Sequence, residues 1–284
     1  MPELPEVETV ARGVHARVQG NRIMEAWFGS HKEPFKTPAA RQAKNLEGRI
    51  FQSVRRVGKH IVCDLSDGPQ DAPPEKQPQA QITAQWIVHL GMTGRLLVTV
   101  PDAPVALHTH ARLRLESGKE IRFVDPRRFG RLEFRDLARA EAFAAPGSEP
   151  LTIDPEKFAA LFRGRKLTIK AALLNQSLLS GVGNIYADES LFHAGIRPRR
   201  QAGRLTHAEL GRLYVALEKV LRHAIQLGGS SVSDYVDAEG VRGFFQLEHC
   251  VYQRTGEPCR QCGAPIRRIT VAGRSTHYCS NCQK

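Results

Sequence analysis

Four cysteines near the end of the chain have metal-ligand spacing. Cys259-Arg-Gln-Cys262 and Cys279-Ser-Asn-Cys282 are two C-x2-C knuckles separated by sixteen residues. Each knuckle bends the backbone so that two thiolates face one tetrahedral ion, the spacing of a four-cysteine zinc ribbon. Four thiolates close the coordination shell, so one structural zinc would fold this segment and catalyse nothing itself. Structural disulfides are the other use of such cysteines, and they belong to an oxidising compartment. Residues 266–277, between the knuckles, carry Arg267, Arg268 and Arg274. This basic finger could enter a DNA groove; from spacing alone, a ribbon that binds protein or RNA fits as well.

The second place where chemistry is available is the start of the chain, Met1-Pro2-Glu3-Leu4-Pro5-Glu6. The small ring of Pro2 permits removal of the initiator methionine, leaving a secondary amine as the first residue. Such an amine titrates near the α-amino range, about 8, whereas a lysine titrates near about 10.4, so a usable fraction is unprotonated at neutral pH. It can act as a nucleophile. Attack on the anomeric carbon of a nucleotide would expel the base and leave an iminium, splitting one hard step into two. Glu3 and Glu6 stand beside it, able to protonate a leaving group and to position water. Read locally, the same residues are a helix start whose acids favour the helix dipole. On the residues alone this second reading is the stronger.

These groups must be positioned by the elements around them. From 5 to 18, Val7, Val10, Ala11, Val14 and Val18 recur at helical spacing, with Pro5 suited to a first turn and Gly20 to a stop. Short β-rich runs follow at 49–57, 60–65, 85–90, 95–100, 111–115, 120–124 and 131–134, with turn signals such as Ser117-Gly118 between them. Many short strands of this kind predict a sandwich or barrel. Residues 67–81 are rich in proline, glutamine and charge and too poor in apolar residues to pack, which predicts a flexible hairpin tip. Beyond about residue 150 the pattern turns helical, at 155–163, 169–174, 185–193 and 207–226. The expected division is a β-rich domain over 1–135, a helical domain over 150–250 and the cysteine ribbon over 251–284. No repeat of twenty or more residues is present.

Composition narrows the partner. Lysine and arginine number 41 against 29 acids in 284 residues, a formal charge of +12. Such an excess favours a polyanion through counterion release, with nucleic acid foremost, although charge alone also serves solubility. No apolar stretch approaches a membrane span, and the N-terminus lacks the basic and apolar regions of a secretory signal. The expectation is a cytoplasmic, nucleoid-associated protein that acts as a monomer without membrane contact. Cys63 and Cys250 fall outside the ribbon and read as small core residues.

The opening Met1-Pro2-Glu3-Leu4-Pro5-Glu6-Val7-Glu8-Thr9 resembles that of the formamidopyrimidine-DNA glycosylases, the bacterial 8-oxoguanine glycosylases. Further blocks match in the family's order: His89-Leu90-Gly91-Met92-Thr93-Gly94, Asp125-Pro126-Arg127-Arg128-Phe129-Gly130, Gly181-Val182-Gly183-Asn184-Ile185-Tyr186, and the ribbon with its Gln283-Lys284 ending. The resemblance covers nearly the whole chain. It implies an α+β protein in which an N-terminal β-sandwich carrying an N-terminal helix precedes a helical domain with a helix-two-turn-helix motif and a zinc ribbon. It also implies a base-excision-repair enzyme that removes oxidised purines (8-oxoguanine, formamidopyrimidines) from damaged duplex DNA. The accompanying abasic-site lyase activity, β,δ-elimination, runs through a Schiff base on the proline. One structural zinc is the only cofactor implied.

Residue roles follow from the same resemblance. Pro2 is matched to the nucleophile, Glu3 to the general acid and Glu6 to a carboxylate that organises water near the imine. Lys59 corresponds to a lysine near the phosphate that assists β-elimination, and Arg274 to the ribbon arginine that assists δ-elimination. Met92, Arg127 and Phe129 match the trio that fills the void left by an extruded base. Lys170 and Asn184 match phosphate ligands of the helix-two-turn-helix motif, and His89, His108 and Arg165 further DNA contacts. Without the resemblance, Lys59 would read as a solvated strand-end lysine and Met92 and Phe129 as core.

Two departures stand out. The 67–81 insertion is longer than usual for the family at this hairpin, and the lesion-loop stretch 231–245 matches loosely, with Phe244 where a tyrosine is often found. Competing readings are the endonuclease VIII branch, which prefers oxidised pyrimidines, and a non-catalytic binder of damaged DNA. Leu4 and the arginines of the 125–130 block favour the purine branch, and the presence of Pro2, Glu3 and Lys59 favours catalysis.

Overall fold

The computed structural model describes residues 1–30, 34–67, 81–232 and 235–284. Most of the proline- and glutamine-rich hairpin expected at 67–81 lies outside the described residues. The chain divides into two compact units. The first comprises Met1–Ala144 and Ser230–Gly243, the second Ala145–Gly229 and Phe244–Lys284.

The first unit begins with helix α1, Leu4–Val18, whose face of Leu4, Val7, Val10, Ala11, Val14 and Val18 is buried. It packs chiefly on β2. Two four-stranded sheets follow. One has the order β1-β6-β7-β5, from Ile23–Phe28, Thr109–Leu115, Glu120–Val124 and Arg95–Thr99; the other has β2-β3-β4-β8, from Arg49–Val57, His60–Asp67, Ala84–His89 and Arg131–Asp136. All neighbouring strands are antiparallel.

The core joins α1 to both sheets, with Phe51, Ile61 and Trp86 from one and Leu113, Ile121 and Phe123 from the other. Trp86 donates its indole N–H to Gln42 Oε1 at 3.2 Å, so the polar end of this buried ring is satisfied. Gln42 belongs to a short helix, α2, Ala39–Leu46. Cys63 lies in this core, as expected of a small apolar residue, and burial pushes its thiol pKa up.

Sequence pattern finds seven of these strands within two residues but misses β1 and α2. In β1 the exposed side chains include Met24 and Trp27, and a bulge interrupts the register between Ile23 and Glu25, so the strand shows no clean alternation.

The second unit holds helices α3, Pro155–Ala160; α4, Ile169–Leu174; α5, Asn184–Ala194; and α6, His207–Gln226. Local chemistry explains their limits. Asp154 caps α3 and Thr168 caps α4, Thr206 and Glu209 close a capping box on α6, and Gly195 ends α5 in the left-handed conformation. A hairpin of β9, Arg267–Val271, and β10, Arg274–Tyr278, completes the unit. The terminal Gln283-Lys284 locks the end of α5: Gln283 Nε2 donates to Ile196 O at 2.8 Å and the Lys284 N–H to Gly195 O at 3.0 Å.

Candidate active site and nucleic-acid interface

Pro2 is buried immediately ahead of α1, and Met1 before it is exposed. Glu3 is the N-cap of the helix and Glu6 its third residue, and the two close a capping box. Glu6 Oε2 accepts the backbone N–H of Glu3 at 2.8 Å, while Oε1 accepts that of Ser230 at 2.7 Å. Tyr235, buried in the same core, donates its hydroxyl to Glu6 O at 3.2 Å. Both carboxyl groups are almost wholly buried, 5 % exposed for Glu3 and 2 % for Glu6. A helix start anchored in this way gives the first residues one fixed conformation beside two carboxyl groups.

Lys59 lies in the two-residue turn Gly58-Lys59 that joins β2 to β3. Gly58 adopts a positive φ of 60°, a conformation that favours glycine. Arg56 braces this turn against α1, donating Nε to Glu8 Oε2 at 2.8 Å and Nη1 to Gly58 O at 3.3 Å. Next to Lys59, strand register pairs His60 with His89, their rings 4.8 Å apart. Burial, and then the positive charge of Lys36, lowers the His60 pKa to about 4. Burial, followed by the charges of His60 and Lys59, brings His89 down to about 4 as well. Both imidazoles are therefore neutral at neutral pH, and His89 Nδ1 accepts the Gly91 N–H at 3.2 Å.

Met92, Arg127 and Phe129 sit on two loops that touch backbone to backbone. A Cβ on Gly91, whose φ is +64°, would lie 2.4 Å from Gly130 N and 2.5 Å from Phe129 C, so only glycine fits. The buried Asp125 ties the loops together: Oδ1 accepts from Thr93 Oγ1 at 2.6 Å and Oδ2 from Gly130 N at 2.8 Å. Met92 is 41 % and Phe129 48 % exposed, and the Arg127 guanidinium lies 4.8 Å from the Phe129 ring centroid. Arg128 between them has φ 57°. Exposed apolar tips on loops held this rigidly are not core residues, and the strained backbone suits a functional loop. His108 is also exposed with positive φ, on the loop before β6.

In the second unit, Asn184 opens α5 and donates Nδ2 to Ser275 O at 2.9 Å. Lys170 donates to the same carbonyl at 2.9 Å and to Thr276 Oγ1 at 2.8 Å, and pairs with Asp188 Oδ1 at 2.6 Å. Asp188 Oδ2 in turn accepts the His277 N–H at 2.8 Å. The direct phosphate contact expected of Lys170 does not fit this placement. Its ammonium is fully buried, held by two hydrogen bonds to the β10 hairpin and by the charge of Asp188. Lys170 instead holds β10, whose first residue, Arg274, is exposed beside Ser275. Arg165 is half-buried after α3, its Nε donating to Leu161 O.

The four ribbon cysteines have sulfurs within 4.8 Å of one another, with Cys259 and Cys282 3.8 Å apart and Cys262 and Cys279 3.5 Å apart. Sulfurs on one tetrahedral zinc at about 2.3 Å are separated by about 3.8 Å, whereas a disulfide would bring two to about 2.05 Å. The set fits one structural zinc, which folds the ribbon.

Sequence reasoning did not single out Asp125, Arg56, Asp188 or Ser230. Asp125 stood within a matched block, ahead of a proline at a strand end, which is a turn signal. The other three act across long sequence separations and leave no local trace.

Three family models match: the formamidopyrimidine-DNA glycosylase N-terminal domain over residues 1–132, the H2TH domain of the same glycosylases over 145–236, and the zinc finger found in FPG and IleRS over 256–284. The formamidopyrimidine-DNA glycosylase of Solibacter usitatus is 45 % identical over 284 residues, with 100 % of both chains covered. The chain belongs to the formamidopyrimidine-DNA glycosylase family. These are DNA-repair glycosylases with abasic-site lyase activity. The relative from Gluconobacter oxydans is 42 % identical, again over the whole of both chains. Among solved structures, wild-type Lactococcus lactis Fpg in complex with N7-benzyl-Fapy-dG containing DNA matches with TM-score 0.84 and 33 % identity over 100 % of both chains. The Thermus thermophilus protein matches with TM-score 0.82 and 38 % identity, covering 99 % of this chain and 98 % of that one. The α+β architecture anticipated from the family's motifs, sandwich first and ribbon last, is the one found.

Proposed function

We propose that this chain excises oxidised purines from duplex DNA and then cleaves the abasic strand through a Schiff base on Pro2. The observation that carries the reading is the buried helix start, where Glu3 and Glu6, immediately after the buried Pro2, are held by the capping box and by the Ser230 N–H. Once Met1 is removed, the Pro2 amine attacks C1′ of the damaged nucleotide. The C1′–N9 bond breaks as the base takes a proton from Glu3, the Pro2 nitrogen returns its own proton to that carboxylate, and O4′ takes it up as the C1′–O4′ bond opens, leaving an iminium between Pro2 and the ring-opened sugar. Glu6 orients the water that later hydrolyses the imine. Elimination at the 3′ and then the 5′ phosphate releases the sugar, with Lys59 and Arg274 beside the phosphates.

Met92, Phe129 and Arg127 fill the space of the extruded base, the guanidinium bonding the orphaned cytosine. His89, His108, Arg165 and Asn184 contact the DNA backbone, and neutral His89 does so as a hydrogen-bonding rather than a charged group. Lys170 serves this interface through the hairpin it anchors. We assign catalysis to 1–135, duplex binding to 150–250 and hairpin contacts to 251–284. The chain works as a cytoplasmic, nucleoid-associated monomer; no helix among the described residues is long and apolar enough to cross a membrane.

Comparing excision of 8-oxoguanine and thymine glycol from matched duplexes tests the substrate class. Faster excision of 8-oxoguanine is expected. Preference for thymine glycol would move the chain to the pyrimidine branch.

A further inference from the structure

We propose that Glu189, His193 and Cys250 form a second metal site, a three-ligand centre for zinc that is separate from the ribbon. Glu189 and His193 are four residues apart in α5 and so share one face of the helix. Cys250 comes from the segment preceding the ribbon, where it is half-buried and packs against the small core around Phe192 and Val251. Its position is fixed by its own backbone, whose N–H donates to Glu189 Oε2 at 2.9 Å.

The ligand atoms of the three residues lie within 4.8 Å of one another, and Cys250 Sγ is 3.8 Å from His193 Nε2. A thiolate and an imidazole on one tetrahedral zinc, at about 2.3 Å and about 2.0 Å, stand about 3.5 Å apart. The pair is therefore close to ligating separation already. Glu189 is oriented by further donors, with Val251 N and Tyr252 N on Oε1 at 3.0 Å and 2.8 Å. Oε2 carries only the Cys250 N–H among these and keeps a lone pair for the ion. Backbone donors that hold a carboxylate in place are the outer support that ligating groups need.

All three residues line a cavity of about 970 Å³ bounded by α5, α6 and the 245–250 segment. The cavity supplies an entry path and an open fourth position for water or an anion, and Arg212 and Arg222 on its wall suit the latter. Binding releases the thiol proton to solvent and links α5 to the segment that leads into the ribbon.

The test is zinc stoichiometry on the full-length protein, by elemental analysis and by titration against a fluorescent zinc indicator. Cys250→Ser and His193→Gln are measured beside the wild type; neither residue belongs to the ribbon or the catalytic groups. Wild type is expected to bind one equivalent beyond the ribbon's, and each variant to lose that equivalent while keeping the ribbon's. Cobalt(II) added to ribbon-loaded wild type should give a thiolate charge-transfer band that Cys250→Ser lacks. No additional equivalent in wild type, or one that survives Cys250→Ser, overturns the site.

Discussion

Glu6 Oε1 accepts the backbone N–H of Ser230 at 2.7 Å, joining residues 224 positions apart in the chain. A carboxylate proposed to act on water beside an imine has to be fixed, and this bond together with the Glu3 N–H on Oε2 fixes it. Glu6→Gln keeps the size and one carbonyl acceptor but removes the charge. We expect the variant to remain folded, with a stability loss of about 1–3 kcal/mol in denaturant titration. Multiple-turnover rate should fall by roughly 100-fold or more, with the Pro2 imine persisting longer than in wild type. Wild-type turnover and imine lifetime in this variant would remove Glu6 from the chemistry.

The contact between the Gly91 and Gly130 loops makes a sharper prediction. Gly91→Ala places a methyl group 2.4 Å from Gly130 N at a φ of +64°. Chemical denaturation should show a loss of about 2–4 kcal/mol, since backbone cannot yield as a flexible side chain would. Excision should drop as well, because Phe129 lies on the displaced loop. An unchanged midpoint would show that the two loops are not in the contact described.

Lys170 predicts a structural phenotype rather than a simple loss of phosphate contact. Lys170→Met leaves the buried Asp188 carboxylate without its cation, which costs about 3–5 kcal/mol. The variant Lys170→Met/Asp188→Asn should recover part of that loss, because no uncompensated charge remains. If Lys170→Met weakened DNA binding at unchanged stability, the direct phosphate contact would be restored as the better account.

The His60–His89 pair sets a pH window. Both folded pKa values are lowered to about 4, against about 6.5 in an unfolded chain. Above pH 6.5 neither state binds these protons. As pH falls from about 6.5 to about 4, the unfolded chain takes up protons that the folded chain does not, and stability falls. His60→Phe keeps a ring against Phe143, 4.7 Å away in the native protein, and removes one titrating group. The melting temperature of this variant should decline less than that of wild type between pH 6.5 and pH 4. Parallel declines would contradict the burial-driven shift.

What the sequence made legible was whatever its chemistry expresses locally. Cysteine spacing gave the ribbon, whose sulfurs stand at tetrahedral separations, and apolar periodicity gave α1 and α6 within a residue. The catalytic candidates Pro2, Glu3 and Glu6 were visible because they fall within one short stretch at the start of the chain. Lys170 was legible as a residue but not in its mode of action, since its acceptors at 275 and 276 come from a hairpin 105 and 106 positions away. Cys250 looked like a core thiol for the same reason: the partners that matter to it, Glu189 and His193, sit on a helix some sixty residues earlier. Asp125 shows the intermediate case, a residue inside a recognised block whose task, tying two loops together, appears only when both loops are in place.

In the proposed reaction the amine of Pro2 forms the covalent intermediate. Protein with Met1 confirmed absent by mass is incubated with labelled 8-oxoguanine:cytosine duplex and borohydride, beside a Pro2→Gly control. A trapped complex whose DNA adduct maps to Pro2 is the predicted result. Efficient trapping at another residue, or excision with no trapped species, would contradict it.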